Sequence, residues 1–106
     1  MSNYEFIESD WKIYRERRSV WIENFMDRIC KQYIDLLASG ASATERIKTL
    51  YSSLQKDTGK IDIVVRDSRT YMKQNIRHLL EEDVISLKDL EGFSSELQDW
   101  ASNITG

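Results

Sequence analysis

Apolar and aromatic side chains recur every three or four residues along the first third of the chain. The stripe consists of Ile7, Trp11, Tyr14, Trp21, Phe25, Ile29 and Tyr33, widened by Ile22, Met26, Leu36 and Leu37. This spacing keeps the side chains on one face of an α-helix, and such a face must be buried. A helix over residues 7–38 would be about 48 Å long, whereas a compact domain of this size has a radius of gyration of ~13 Å. We therefore expect this helix either to bend or to project beyond its own domain.

Helix-breaking residues are scarce in the rest of the chain. The 106 residues include no proline and only four glycines, so long helices meet few interruptions. Gly40 is suited to a left-handed cap that ends the first helix, and Ser42 and Glu45 have the spacing of a capping box that opens a second. We expect the second helix to end within 56–59. Its predicted buried face is formed by Ile47, Leu50, Tyr51 and Leu54.

The segment 61–65 carries two conflicting secondary-structure signals. Its β-branched residues are typical of a short strand. However, helical spacing continues from this segment through Ser68, Met72, Ile76 and Leu79, and the chain offers no partner strand. We therefore predict a third helix over 61–80 that ends at the acidic residues 81–83. A last helix is expected after Ser86, with a break at Gly92 and a restart at Ser94 or Ser95 as the alternative.

These patterns together predict one all-α domain over residues 1–106. The expected architecture is a three- or four-helix bundle packed around the long amphipathic first helix. A length of 106 residues suits a single domain that can bury its own core.

The composition offers no constellation for catalysis. His78 is the only histidine and Cys30 the only cysteine, which is too few for a zinc site, and the acidic residues lack the spacing of a calcium loop. No glycine-rich phosphate loop is present. We expect no enzyme activity, no cofactor and no metal, with His78 on the surface. A lone cysteine and the lack of an apolar run of ~18 residues predict a cytoplasmic protein outside the membrane.

The aromatic face of the first helix suggests a function based on contact. If this face projects from the domain, it would attract a second subunit, so we predict a homodimer or another protein partner. The candidate interface residues are Trp11, Tyr14, Arg18, Trp21 and Phe25. For the tryptophans, Trp11 and Trp21 on the first helix and Trp100 near the C-terminus, the default is a core between the first and last helices. Arg18 would then stack on a neighbouring aromatic ring; in an interface it would form an ion pair.

A second surface hypothesis comes from basic residues spaced by three, four and four positions. These are Arg66, Arg69, Lys73 and Arg77. With a turn at Thr58 and Gly59, they resemble a helix-turn-helix in outline, which would make the chain a DNA-binding regulator. Against this, the net charge is −3 and the pI is about 5.2. Residues 81–106 carry seven acids and one base, so we favour an internal role in which this acidic segment neutralises the basic residues.

Several short stretches resemble a group of small uncharacterised proteins from Gram-positive bacteria. They are Ser9, Asp10 and Trp11 with Tyr14 and Arg15, the helix end over 33–37, and the segment 83–91 leading to Phe93 and Ser94. The resemblance implies a bacterial, cytosolic, helical protein. It implies no activity and no site residues.

Overall fold

The computed structural model describes residues 7–105. Within this range the chain consists of helices joined by irregular segments, and it contains no strand. The elements are α1 (Glu8–Leu37), α2 (Ala43–Val64), a 3-10 turn (Arg69–Tyr71), α3 (Met72–Glu81), a second 3-10 turn (Leu87–Leu90) and α4 (Ser95–Thr105). The predicted all-α class and the long first helix are confirmed.

The end of α1 differs from the prediction. Gly40 does not adopt a left-handed conformation, which among the described glycines is seen at Gly92 alone. Instead the Arg46 guanidinium donates hydrogen bonds to the carbonyls of Leu37 over 2.6 Å and Ala41 over 3.1 Å. An arginine from the next helix thus satisfies carbonyls that a helix end leaves without partners, and a glycine cap is not needed.

The second helix is longer than the sequence predicts. Ser42 accepts a hydrogen bond from the Glu45 amide over 3.2 Å, which is one half of the expected capping box. The helix then continues through Thr58 and Gly59 to Val64, so the predicted end within 56–59 is wrong. The Thr58 hydroxyl donates to the Leu54 carbonyl one turn back, and a single glycine costs a helix only about 1 kcal/mol relative to alanine.

Consequently residues 61–64 form the last turn of α2, which confirms that this segment is helical and not a strand. The prediction of one continuous helix over 61–80 is wrong. The chain leaves α2 at Val65, whose carbonyl accepts a hydrogen bond from Arg18 over 2.9 Å. It enters α3 only at Met72. The predicted end of that helix at the acidic residues is confirmed, because α3 stops at Glu81 and Asp83 has a φ of 56°.

The C-terminal region contains the break that the sequence offered as an alternative. Ser86 and Asp89 form a capping box, but it opens a 3-10 turn and not a long helix. Gly92 then reverses the chain with a φ of 95°. Ser94 accepts a hydrogen bond from the Leu97 amide over 3.2 Å, and α4 begins at Ser95.

The buried side chains are concentrated at one end of an elongated molecule. They come from α1 up to Ile29, from Val64 at the end of α2, and from the chain beyond it; no residue within 30–63 is buried. The molecule measures 50 × 26 × 20 Å with a radius of gyration of 16.3 Å, compared with ~13 Å for a compact chain of this length. We call the packed part the head and residues 30–63 the arm. The first helix therefore projects, as one of the two alternatives predicted.

Candidate interaction surface

The aromatic residues that the sequence proposed as an interface lie in the core of the head. Trp11, Tyr14, Trp21 and Phe25 are each at most 6% exposed. Trp11 stacks on Tyr14 with 5.8 Å between ring centroids, and Trp21 stacks on Phe93 at 6.2 Å. Their assignment to a partner interface is therefore wrong, because α3, α4 and the loop before α4 cover this face of α1. The core alternative is the correct one.

Arg18 takes neither of the roles considered for it. Its guanidinium donates to the Val65 carbonyl and lies 3.9 Å from the Asp67 carboxylate, so it caps the end of α2 within its own chain. The neighbouring Arg17 is the one that stacks on an aromatic ring, with its guanidinium 5.2 Å from the centroid of Phe93. Arg17 also donates to the carbonyls of Asp89 over 2.9 Å and Glu91 over 2.8 Å, which fixes the loop around Gly92.

The basic residues Arg66, Arg69, Lys73 and Arg77 are all exposed. Arg69 makes a two-pronged contact with Glu8 at 3.1 and 2.8 Å, and this hydrogen bonding lowers the pKa of Glu8 below its ordinary value. Arg77 lies 3.4 Å from Glu81. Within residues 7–105, the acidic side chains of α4 form no ion pair with this group. Among the described residues, Glu81 alone of the acidic segment pairs with this group, so the expected neutralisation by residues 81–106 is met only at Arg77.

The turn and the second helix of the predicted helix-turn-helix lie at different residues from those expected. Thr58 and Gly59 lie inside α2, and the actual turn spans 65–68. Arg66 lies in this turn and Arg69 in the following 3-10 turn, so only Lys73 and Arg77 belong to the ten residues of α3. Lys73 lies over the ring of Trp100 at 5.2 Å, which ties it to the head.

The described part of the chain contains neither a metal-binding cluster of side chains nor a helix that could span a membrane. His78 is half-buried and Cys30 is exposed. Among residues 7–105 no three histidine, cysteine or acidic side chains cluster closely enough to hold a metal ion. No helix in this range is long and apolar enough to cross a membrane.

The arm exposes large apolar side chains, most of which the sequence assigned to a buried face; Ile34 was not part of that prediction. The clearest examples are Ile34, Leu37, Ile47, Tyr51 and Leu54, of which Ile34, Ile47 and Tyr51 are more than 60% exposed. The prediction that Ile47, Tyr51 and Leu54 face the core is wrong, because no element of the head reaches this part of α2. We call these five residues the arm face.

The five residues lie on the same side of the arm. Tyr33 of α1 donates a hydrogen bond to Asp57 of α2, and Leu36 of α1 and Ser53 of α2 line the groove between the two helices beside them. Each successive residue is rotated by about 100° around the helix axis. Around each axis, the arm-side exposed residues therefore lie roughly 100° from the residues just named, and the rotation has the same direction in both helices. Because the helices are antiparallel, equal rotations direct both sets to one side.

The opposite side of the arm is polar. It forms a groove of about 280 Å³ lined by Gln32, Tyr33, Leu36, Thr49, Ser53, Lys56, Asp57 and Lys60. None of the arm-face residues lines this groove. The arm is thus amphipathic as a two-helix unit, with one apolar side and one polar side.

Polar contacts attach the base of the arm to the head on its polar side. At the base of the arm, Lys60 lies 2.8 Å from Glu82, which raises the pKa of Lys60. Arg28, two residues before the arm on α1, donates to the Asp83 carbonyl over 2.7 Å. Tyr33 donates to the Asp57 carboxylate and joins the two helices. Partial burial and this hydrogen bond raise the pKa of Tyr33 to about 12. These contacts hold the arm at a fixed angle and leave the arm face uncovered.

Comparison with known proteins adds no relative to this description. No protein-family model, curated protein or solved structure matches the chain. The resemblance to helical proteins of Gram-positive bacteria stays a prediction, and a function has to be argued from the surfaces described above.

Proposed function

We propose that this chain is a non-enzymatic protein-interaction module whose head holds the arm and whose arm face binds another protein. The observation that carries the proposal is the group of five exposed apolar residues on one side of the arm. Folded chains rarely leave a contiguous apolar patch in water unless it binds something. Two parallel rows of side chains on an antiparallel helix pair also provide the ridges into which another helix packs.

Tyr51 is the residue best suited to anchor a partner. Its side chain is 64% exposed, and its hydroxyl accepts a hydrogen bond over 3.1 Å from Gln55 one turn later. This contact orients the ring before binding, which reduces the entropy lost when a partner is bound. Tyrosine is also enriched among the residues that contribute most to binding free energy.

Site-specific photocrosslinking in the cell that makes the protein tests this proposal. A photoreactive phenylalanine analogue would replace Tyr51 in one variant and Val20 in the control. Val20 is matched because it is 60% exposed and belongs to the head. We expect a discrete crosslinked protein from position 51 and none from position 20. Equal crosslinking at both positions, or none at 51, would contradict the proposal.

A second candidate function, a DNA-binding regulator, is favoured by one observation. The side chains of Arg66, Arg69, Lys73 and Arg77 are exposed, as contact with phosphates requires. Two of the four are already paired with carboxylates, Arg69 with Glu8 and Arg77 with Glu81. Binding to DNA would therefore have to compete with these ion pairs, and we rank this function second.

A further inference from the structure

We propose that the partner of the arm face is a second copy of this chain, with two arms packed antiparallel as a four-helix bundle. This inference depends on the proposed function and adds the identity and orientation of the partner. Three features of the arm support it: the spacing of its apolar residues, two charges on its edge, and its area.

The apolar residues of α2 are spaced so that they complement themselves. Ile47, Leu54 and Ile61 follow one another at intervals of seven, with Tyr51 and Val65 beside them. Such a seven-residue repeat is the pattern of helices that pack side by side along their length. A two-fold axis that passes beside Leu54 sets this residue against its own counterpart. The same axis sets Ile47 of one copy near Ile61 of the other, which is half-buried and packs against the core of the head at this end of the row.

Two charged residues indicate the antiparallel orientation. Lys48 and Asp62 each follow a residue of the apolar row, are exposed, and form no ion pair with another residue in 7–105. In the antiparallel pair, Lys48 of each copy lies within one helical turn of Asp62 of the other, twice by symmetry. In a parallel pair these groups would be about 21 Å apart along the helix axis.

The size of the surface is also suitable. The row from Ile47 to Val65 is about 27 Å long, and two helices at a spacing of 8–10 Å make the arm roughly 20 Å wide. The corrugated surface over this area approaches the ~800 Å² per partner of a standard interface. At the head end of this surface Ile61 is half-buried against the core, whereas the polar contacts of Arg28 with Asp83 and of Lys60 with Glu82 lie on the opposite side.

Sedimentation equilibrium of the full chain tests for the second copy. We expect a dimer for the wild type, a monomer for Leu54→Glu, and an unchanged dimer for the control Val20→Glu. Lys48→Glu and Asp62→Lys should each weaken the dimer at least tenfold, and the double variant should restore it. All four positions are exposed, so each variant should stay folded, which circular dichroism checks. A double variant no stronger than the single ones would overturn the charge pairing.

Disulfide crosslinking tests the orientation, in a Cys30→Ser background that removes the native thiol. We expect Leu54→Cys to crosslink to its own counterpart, since it lies beside the axis. Ile47→Cys should not link to itself, because its counterpart lies about 21 Å away along the axis, but it should link to Ile61→Cys in a mixture. Efficient self-linking of Ile47→Cys would overturn the antiparallel arrangement.

The outcomes separate this inference from the proposed function. In one outcome, the purified chain stays monomeric at millimolar concentration and the photoreactive group at 51 captures a different protein. This result overturns the second copy as the partner and supports the arm face as a docking surface. Capture at 51 of a product with twice the mass of the chain supports both. Absence of any capture at 51 overturns both.

Discussion

Asp10 and Ser94 join the start of α1 to the start of α4 through two short hydrogen bonds. The Ser94 amide donates to Asp10 Oδ1 over 2.7 Å, and the Ser94 hydroxyl donates to Oδ2 over 2.6 Å. The Asp10 side chain is fully buried. A negative charge is stabilised next to the free amides at a helix start, so Asp10 acts as a cap for α4 supplied from 84 positions away.

Replacing Asp10 with alanine should destabilise the head. The change leaves the Ser94 amide buried without its acceptor, and we expect the free energy of unfolding to fall by about 1–3 kcal/mol. Urea unfolding followed by tryptophan fluorescence measures this. The control is Glu23→Ala on the same helix, an exposed carboxylate whose loss should change the free energy by less than about 0.5 kcal/mol. Equal midpoints for the two variants would contradict the prediction.

Alanine should have opposite effects at two glycines. At Gly92, with its φ of 95°, a Cβ atom would lie 3.0 Å from the Arg17 guanidinium, and we expect a loss of about 1–2 kcal/mol. At Gly59, inside α2 with nothing within 4 Å of a Cβ, we expect a gain of about 0.5–1 kcal/mol. Thermal melts of the two variants provide the comparison, and a stabilised Gly92→Ala would refute this account of the loop.

Two apolar residues of α1 should respond differently to truncation. Phe25 is 3% exposed in the core, so Phe25→Ala should cost about 3–5 kcal/mol. Ile34 on the same helix is 63% exposed on the arm face, so Ile34→Ala should leave the unfolding free energy of the monomer almost unchanged. Measurement at low protein concentration keeps association out of the comparison. A large loss at Ile34 in the monomer would show that the arm packs on the head.

Tyr33 should make stability depend on pH in the alkaline range. Its pKa is raised from an ordinary 10.0 to about 12 in the folded chain, so the neutral phenol is favoured by folding. The resulting stability is complete below pH 10 and is lost as the pH rises to about 12. We expect Tyr33→Phe to flatten the alkaline part of the stability curve. Absorbance of tyrosinate should also show that Asp57→Asn moves this titration to lower pH. Superimposable curves for all three proteins would argue against the prediction.

Neutral substitution of the basic residues distinguishes the two candidate functions. We expect the wild type and a variant with glutamine at Arg66, Arg69 and Lys73 to bind duplex DNA equally weakly at about 100 mM salt, a range in which phosphate contacts are strongly salt-dependent. Fluorescence anisotropy measures the affinity, and circular dichroism checks that the variant is folded. A wild-type affinity that falls steeply with salt and is lost in the variant would instead support DNA binding.

The periodicity of the sequence predicted the all-α class and the long amphipathic α1, but it misplaced the end of α2 and the start of α3 and did not identify what covers each apolar face. The stripe through Trp21 and the row through Leu54 have the same kind of spacing. One is buried by α3 and α4, whereas the other is exposed. Periodicity shows that a face favours burial, and only the tertiary arrangement decides whether the same chain supplies the cover.

The polar contacts were predicted least well because they connect distant parts of the chain. Arg17 and Arg18 are adjacent, yet one holds the loop at 89–91 and the other the end of α2. No local pattern separates them. Asp10 did carry a signal, since it lies four residues before Tyr14 and thus on the apolar side of α1. A charged residue in that position indicates a buried partner.

The absence of buried residues between Ile29 and Val64 makes the arm adjustable in length. An insertion of seven residues into α1 after Tyr33, matched by seven in α2 before Asp57, would keep the Tyr33–Asp57 hydrogen bond and the packing of Tyr33 on the core. It would turn the outer part of each helix by only about 20° and lengthen the molecule by about 10 Å. No core contact of the head would change. Evolution or an engineer can therefore alter the reach of the arm while the head keeps its sequence and its stability.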